Sequence, residues 1–134
     1  MPLTLLAYLY RKPGTTPAYF KDYYEHHHLP MVKQMTGASF PTRHKRYYLP
    51  RTPNNAGSMD LTNAYYAPTV LAGKPDDFPW DVYVEMVFQD RQHFQAFRDG
   101  LDAQGERVAS DEMNFMDRTK VFVAEVEGPF ELWA

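Results

Sequence analysis

The order in which two residue periodicities follow one another constrains the fold of this chain more than any single motif. Residues 3 to 10 alternate, with Leu3, Leu5, Ala7 and Leu9 on one side and Leu6, Tyr8 and Tyr10 on the other. Both sides are apolar, which predicts a strand covered on both faces. Lys12-Pro13-Gly14 breaks it. Thr16 then offers an N-cap and Pro17 the residue favoured at the first helical position. From Phe20 the apolar positions 20, 23, 24, 27, 28, 31 and 35 recur at helical spacing. Arg43 to Leu49 reads as a second strand, and Asp81 to Phe88 as a third, with Val82, Val84, Met86 and Phe88 opposed to Tyr83, Glu85 and Val87. Asp90 to Leu101 carries Phe94, Phe97 and Leu101 at helical spacing, and Gly100 or Gly105 can end that helix. Ser110-Asp111-Glu112 reads as a capped short turn, and Thr119 to Val126 as the fourth strand.

The resulting order, β-α-β-β-α-β, predicts an α+β fold of the split-βαβ, ferredoxin-like kind: a four-stranded antiparallel sheet with both helices on one face. At 134 residues the chain suits one domain with one core. The bare sheet face would leave apolar side chains in water, so a second copy is expected there, the two sheets forming a dimeric α+β barrel. Residues 51 to 79 are rich in Pro, Asn, Gly and Asp and have no sustained period, which predicts an insertion folded as a lid on its anchors Tyr65, Tyr66, Val70, Leu71 and Phe78. The tail 128 to 134, Gly-Pro-Phe-Glu-Leu-Trp-Ala, is apolar enough to dock on its own or the neighbouring subunit.

Charge and composition exclude several classes of function. A net charge of −3 and a pI near 5.9 give no electrostatic reason to expect nucleic acid. The one basic run, Arg43, Lys45 and Arg46, reads as a solvated strand edge. Without Cys there is no disulfide framework, thiolate zinc site or iron–sulfur cluster, which fits a cytoplasmic protein. The apolar start is too short to span a bilayer and lacks the charged leader of a signal peptide, so no membrane association is expected. Aromatic residues make up 16% of the chain, more than a minimal core needs, and ten of them are Tyr, which joins a flat apolar body to a polar tip. A pocket for a small aromatic, oxygen-bearing molecule is the expected use.

The chemistry-bearing feature is Glu25-His26-His27-His28-Leu29-Pro30. Helical phase puts His27 and His28 on the apolar face and His26 opposite, beside Asp22 and Lys33. Pro30 lacks an N–H and disfavours helical geometry at Leu29, so the helix is expected to kink or stop there, freeing carbonyls and opening space for a ligand. Adjacent helical residues point about 100° apart and do not converge on one ion, and no His-Glu-x-x-His pair is present, so no metal is expected. The chain lacks a Gly-rich phosphate loop and a Gly-x-Ser-x-Gly elbow, which argues against nucleotide cofactors and serine hydrolysis. On residue type alone, His28 is either a core histidine bonded to a freed carbonyl or a proton-transfer group among Tyr24, Met31 and Met35. His44 on the second strand is a second candidate if its face looks toward the helices. His27, Tyr8, Tyr24, Met31, Tyr48, Tyr65, Tyr83 and Glu85 are candidate substrate contacts, Glu85 being equally placed to pair with Arg46 across the sheet or to lie at a dimer interface.

Several of these residues also carry a resemblance. The opening strand, Arg11-Lys12-Pro13-Gly14, Phe20-Lys21-Asp22-Tyr23-Tyr24-Glu25, His28-Leu29-Pro30 and Ser110-Asp111-Glu112-x-x-Phe115-x-Asp117 together resemble the EthD-like branch of the dimeric α+β barrel proteins. The resemblance implies a homodimer with a pocket between each subunit's sheet and helices, and chemistry without a cofactor. Its fungal members are similar to decarboxylases or dehydratases of aromatic polyketides, and its bacterial founders to accessory proteins of ether degradation. The family's His-x-Pro histidine falls on His28. The function implied is a proton-transfer enzyme, decarboxylase, dehydratase or cyclase, on an aromatic polyketide-like intermediate. A cofactor-independent anthrone-type monooxygenase and a non-catalytic small-molecule carrier are the alternatives. The tripled histidine and the long insertion depart from the family pattern.

Overall fold

The computed structural model describes residues 1–54 and 61–134. Strand β1 (Leu3–Arg11) buries every second residue, Leu3, Leu5, Ala7, Leu9 and Arg11, because alternation turns them to the same face of the sheet. It lies at the centre of an antiparallel sheet of order β2-β5-β1-β6, where β2 is Arg43–Tyr48, β5 is Val82–Phe88 and β6 is Met116–Val126. Tyr8 pairs with Tyr83 on one side and Phe122 on the other, so all three rings share the face turned away from the helices. The fold is the mixed α+β, ferredoxin-like arrangement that the order of periodicities predicts.

Helix α1 (Pro17–Tyr23) starts where Thr16 accepts the N–H of Tyr19 at 3.0 Å, with Pro17 in its first turn. The predicted kink takes a different form. Residues Tyr24–His28 make a π-helical turn, and α2 (Leu29–Thr36) continues from it, Leu29 keeping helical dihedrals while its N–H reaches back to the Tyr24 carbonyl. A π turn has more residues per revolution than an α turn, so each residue after Tyr24 lags the α-helical phase. The lag brings His28 into line with Phe20 and Tyr24 and turns His27 outward. Gly37, at φ +55°, ends the helix with a backbone geometry that side chains disfavour.

Helix α3 (Arg91–Asp102) is capped by Asp90, whose carboxylate accepts the His93 N–H at 2.8 Å. The segment expected as a capped turn at Ser110 is instead the end of a further helix, α4 (Gly105–Glu112), and the last strand begins at Met116, three residues before Thr119. The core lies between sheet and helices. Phe20, Tyr24, Val82, Val84, Phe115 and Met116 fill one half, and Leu3, Leu5, Val32, Phe88 and Phe97 the other. Each such buried side chain contributes on the order of 1.5–3 kcal/mol.

The insertion contributes β3 (Arg51–Pro53) and β4 (Tyr66–Pro68), a separate two-stranded ribbon; its residues 55–60 lie outside the described residues. It is tied down by a buried charge knot. Asp81 accepts Arg11 Nη1–H at 2.8 Å and Arg51 Nε–H at 3.0 Å, and its second oxygen accepts the Arg11 backbone N–H at 2.8 Å. The remaining guanidinium donors go to Asn63 and the carbonyls of Thr15, Leu61, Tyr66, Phe78 and Trp80. Phe130, Leu132 and Trp133 of the tail are exposed. Among the described residues no helix is long and apolar enough to cross a membrane.

Candidate active site

A cavity of about 120 Å³ opens between the sheet and the helices, lined among others by Tyr24, His28, His44, Met86, Phe97 and Glu112. The π turn sets His28 into its wall. His28 is 6% exposed, and its Nδ1 lies 2.8 Å from Asp111 Oδ2 at the end of α4. An ionised carboxylate only accepts, so Nδ1 carries the hydrogen, and in the neutral ring Nε2 presents a lone pair. Asp111 is itself fixed: its other oxygen accepts the Tyr23 hydroxyl at 2.7 Å, and that hydroxyl accepts from the Asn114 amide at 2.9 Å. The bond to Asp111, with some desolvation, pushes the Tyr23 phenol up, so it stays a donor. Nε2 of His28 is 3.9 Å from Glu112 Oε2, outside hydrogen-bond range, while Glu112 receives Arg118 Nε–H at 3.1 Å.

His44 reaches the same cavity from β2, where alternation turns His44, Arg46 and Tyr48 toward the helices. Arg46 Nη1–H points at His44 Nδ1 at 3.0 Å. Burial, and then the Arg46 charge, lower His44 to about 4. Arg46 is clamped by Glu25 of the π turn, Nε to Oε2 at 2.5 Å and Nη2 to Oε1 at 2.9 Å, and the Tyr48 hydroxyl also donates to Glu25. Burial pushes the Glu25 carboxyl up, but the bonds from Arg46 and Tyr48 outweigh it and hold the group below its ordinary value. Tyr24 lies between the two histidines, its ring 6.0 Å from His28 and 6.4 Å from His44, and burial pushes its phenol far up.

Residues 12–119, which contain all of these groups, match the EthD domain. The chain belongs to the EthD domain family. Its fold is that of solved EthD proteins. An ethyl tert-butyl ether D (EthD) family protein from Bacillus halodurans is 18% identical, with a TM-score of 0.54 over 96% of this chain and 100% of the other. An EthD-like protein from Ralstonia eutropha is 15% identical, with a TM-score of 0.50 over 94% and 87%. A dimeric ferredoxin-like protein of unknown function from Thermobifida fusca is 11% identical, with a TM-score of 0.54 over 94% and 90%. No curated protein matches the chain.

Within this EthD domain the residues singled out in the sequence separate into two groups. His28, His44 and Tyr24 meet at the cavity. Met31 is not in the cavity lining and packs against the core cluster of Leu3, Leu5, Val32, Phe88 and Phe97, and Tyr48 binds Glu25. The others lie elsewhere. His27 is exposed, its ring 4.9 Å from Tyr23, and His26 is exposed near Asp22. Tyr65 packs edge-on against Tyr66 in the insertion, no described residue of which lines the cavity. Tyr8, Tyr83 and Glu85 are on the far sheet face, Tyr8 against Trp80 at 5.4 Å. Glu85 accepts the Tyr83 hydroxyl at 2.7 Å and sits opposite Lys45, not Arg46, because its register puts it on the face that Arg46 leaves.

The sequence assigned no role to Asp111 or Glu25, and it read Arg46 as a solvated edge charge or a partner of Glu85 where the structure binds it to Glu25. Asp111 had a signal: Val108, Asp111, Glu112 and Phe115 follow one another at helical spacing, so a helix there carries two acids on an otherwise apolar face. Glu25 had none, since its inward turn depends on the π geometry.

Proposed function

We propose that this EthD-domain chain is a cofactor-free proton-transfer enzyme, a decarboxylase, dehydratase or cyclase acting on an aromatic polyketide-like intermediate in secondary metabolism, and that it works in the cytoplasm as a homodimer. One observation carries the reading: a buried histidine whose Nδ1–H is held by Asp111 at 2.8 Å and whose Nε2 is left for an apolar cavity. That is how a general base is prepared. Each of the three reactions moves a proton next to a carbonyl. Nε2 of His28 takes or returns that proton, and Asp111 stabilises the imidazolium formed. His44 and Tyr24 offer polar contacts, and the apolar lining suits a flat aromatic body.

Homodimer formation is supported by the dimeric Thermobifida fusca neighbour and by the exposure of Tyr47 and Phe122 on the bare sheet face. Assembly there would leave the helix-side cavity of each subunit in place.

The test is turnover of anthrone-type polyketides, with and without a carboxyl group, in the presence and absence of oxygen, with products analysed by mass. We expect oxygen-independent turnover that falls about 10²–10⁴-fold in His28→Ala, the range general-base catalysis supplies. Unchanged turnover in that variant overturns the assignment of His28. An oxygen-dependent product points to a monooxygenase, binding without turnover to a carrier, and loss on chelation reversed by added metal to a metalloenzyme.

A further inference from the structure

The two histidines of the cavity are held by partners of opposite kind. Asp111 only accepts, so His28 turns an acceptor nitrogen to the cavity. Arg46 only donates, so His44 Nδ1 is the acceptor and the ring's hydrogen sits on Nε2. Arg46 is not free to turn away. Glu25 takes its Nε and Nη2 hydrogens, and Nη1 also donates to the His44 carbonyl at 3.0 Å. Phe40 stacks on the His44 ring at 5.8 Å and 15°, fixing its plane. Nε2 of His44 has no hydrogen-bond partner among the described residues, and no fully buried side-chain nitrogen or oxygen among them lacks one, so this N–H is accessible on a ring that lines the cavity. The lining contains Glu112 and neither Lys nor Arg. A carboxylate brought inside would meet no cation in the lining and a Glu112 carboxylate that Arg118 already pairs, so its desolvation would go uncompensated, whereas an uncharged carbonyl oxygen would meet a donor.

We propose that Arg46, clamped by Glu25, is a positioning residue that holds His44 as the Nε2–H tautomer, so that the site takes an uncharged, enolisable ketone by its oxygen rather than a carboxylic acid by its carboxylate. The inference rests on the proton-transfer reading and narrows it to dehydration or ring closure. His28 Nε2 removes the proton from the carbon beside the carbonyl, and the C–H electron pair becomes the C=C of an enolate. The charge gathers on the oxygen that His44 Nε2–H binds. In dehydration the His28 proton then passes to the β-hydroxyl, whose C–O bond breaks to release water; in ring closure the enolate carbon bonds to a second carbonyl carbon, whose oxygen takes the proton. A neutral imidazole suits this task, because it donates without giving up its hydrogen. The groups facing His44 are Arg46 and Tyr48 of its own strand, Glu25 and Tyr24 of the π turn, and His28 and Glu112 across the cavity.

The experiment uses the full chain with nitrogen-15-labelled histidine, reading tautomers by long-range N–H correlation, and two probes on one ring system, uncharged 2-naphthol and anionic 2-naphthoate. We expect His44 to show the Nε2–H tautomer without ligand, and 2-naphthol to bind at least about tenfold tighter than 2-naphthoate, the equivalent of one good hydrogen bond. Arg46→Leu should mix the tautomers and reduce that preference, and Arg46→Lys should restore part of both. An Nδ1–H tautomer in the unaltered protein, or equal binding of the two probes, overturns the inference. His28→Ala separates it from the broader reading: that variant should keep the His44 tautomer and the 2-naphthol preference while losing turnover.

Discussion

The residue scale is where the cavity's chemistry is set, and there the partner of each histidine matters more than the histidine itself. Asp111→Asn keeps the shape of the Asp111 side chain but removes its charge and lets the amide donate, so His28 no longer has a carboxylate to hold its Nδ1–H. We expect kcat to fall by up to about 10⁴-fold with KM nearly unchanged, the loss that the same change causes where an aspartate orients a general-base histidine, measured by steady-state kinetics on a substrate the unaltered protein turns over. His44 makes a different prediction, in stability. Its folded value of about 4 lies below the ordinary 6.5, so between these values the unfolded chain binds the extra proton. Stability contributed by the neutral ring is therefore complete above the ordinary value and is lost as pH falls toward 4, by up to about 3 kcal/mol. Urea unfolding of the unaltered protein and of His44→Phe across that window checks the sign: the variant should lose less stability on acidification.

At the scale of elements, the insertion depends on the Arg11–Asp81–Arg51 knot, where two buried guanidinium groups share one carboxylate. Asp81→Ala would leave both without their counter-charge. Removing one partner of a buried ion pair costs about 3–5 kcal/mol, and we expect a loss of that size by urea unfolding, with the first increase in amide exchange at Arg51–Pro53 and Tyr66–Pro68. Strands β1 and β5 and the first and third helices were legible because each turns one face to the core and so carries one clean period, while β2 and β6, which bury little, were legible from β-forming residues such as Tyr47, Tyr48, Val121 and Val123. The knot was not legible, since Arg11, Arg51 and Asp81 are far apart in sequence and each reads alone as a surface charge. The π turn was hidden for a related reason. Helical phase counted at a fixed 100° per residue puts both His27 and His28 inside, and only the i to i−5 bond at Leu29 reveals the lag that keeps His28 buried and turns His27 out. Helix α4 was missed because Gly105, Glu106, Arg107 and Ser110 dilute its apolar face, leaving Val108, Asp111 and Glu112 to share it. The histidine of the site could thus be read from the sequence, but its carboxylate could not be placed until that helix existed.

At the scale of the whole molecule, the two outer strands of the sheet are protected unequally. On β2, Arg43, Lys45 and Arg46 place charges along the edge, a common guard against unwanted pairing. On β6, the run Val121-Phe122-Val123-Ala124 carries no charge, and Val121, Phe122 and Val123 are 43%, 53% and 53% exposed. Phe122 stands beside Tyr10 on the bare face, in a row that continues through Tyr8 and Tyr83 to Tyr47. Such a continuous apolar surface is a protein–protein interaction site in most soluble folds, and the homodimer proposed for this chain would cover it. Phe122→Asp distinguishes the two states. In a monomer, replacing this half-exposed strand residue changes stability by about 1 kcal/mol and leaves the molecular mass as it was. In a dimer, a carboxylate forced into the interface is desolvated without a partner, so sedimentation velocity should show the variant as a monomer at concentrations where the unaltered protein is a dimer. Because the His28 cavity lies on the opposite, helix-covered side of the sheet, the variant monomer should still bind 2-naphthol. A monomer that loses this binding would mean that the partner subunit holds the cavity in shape.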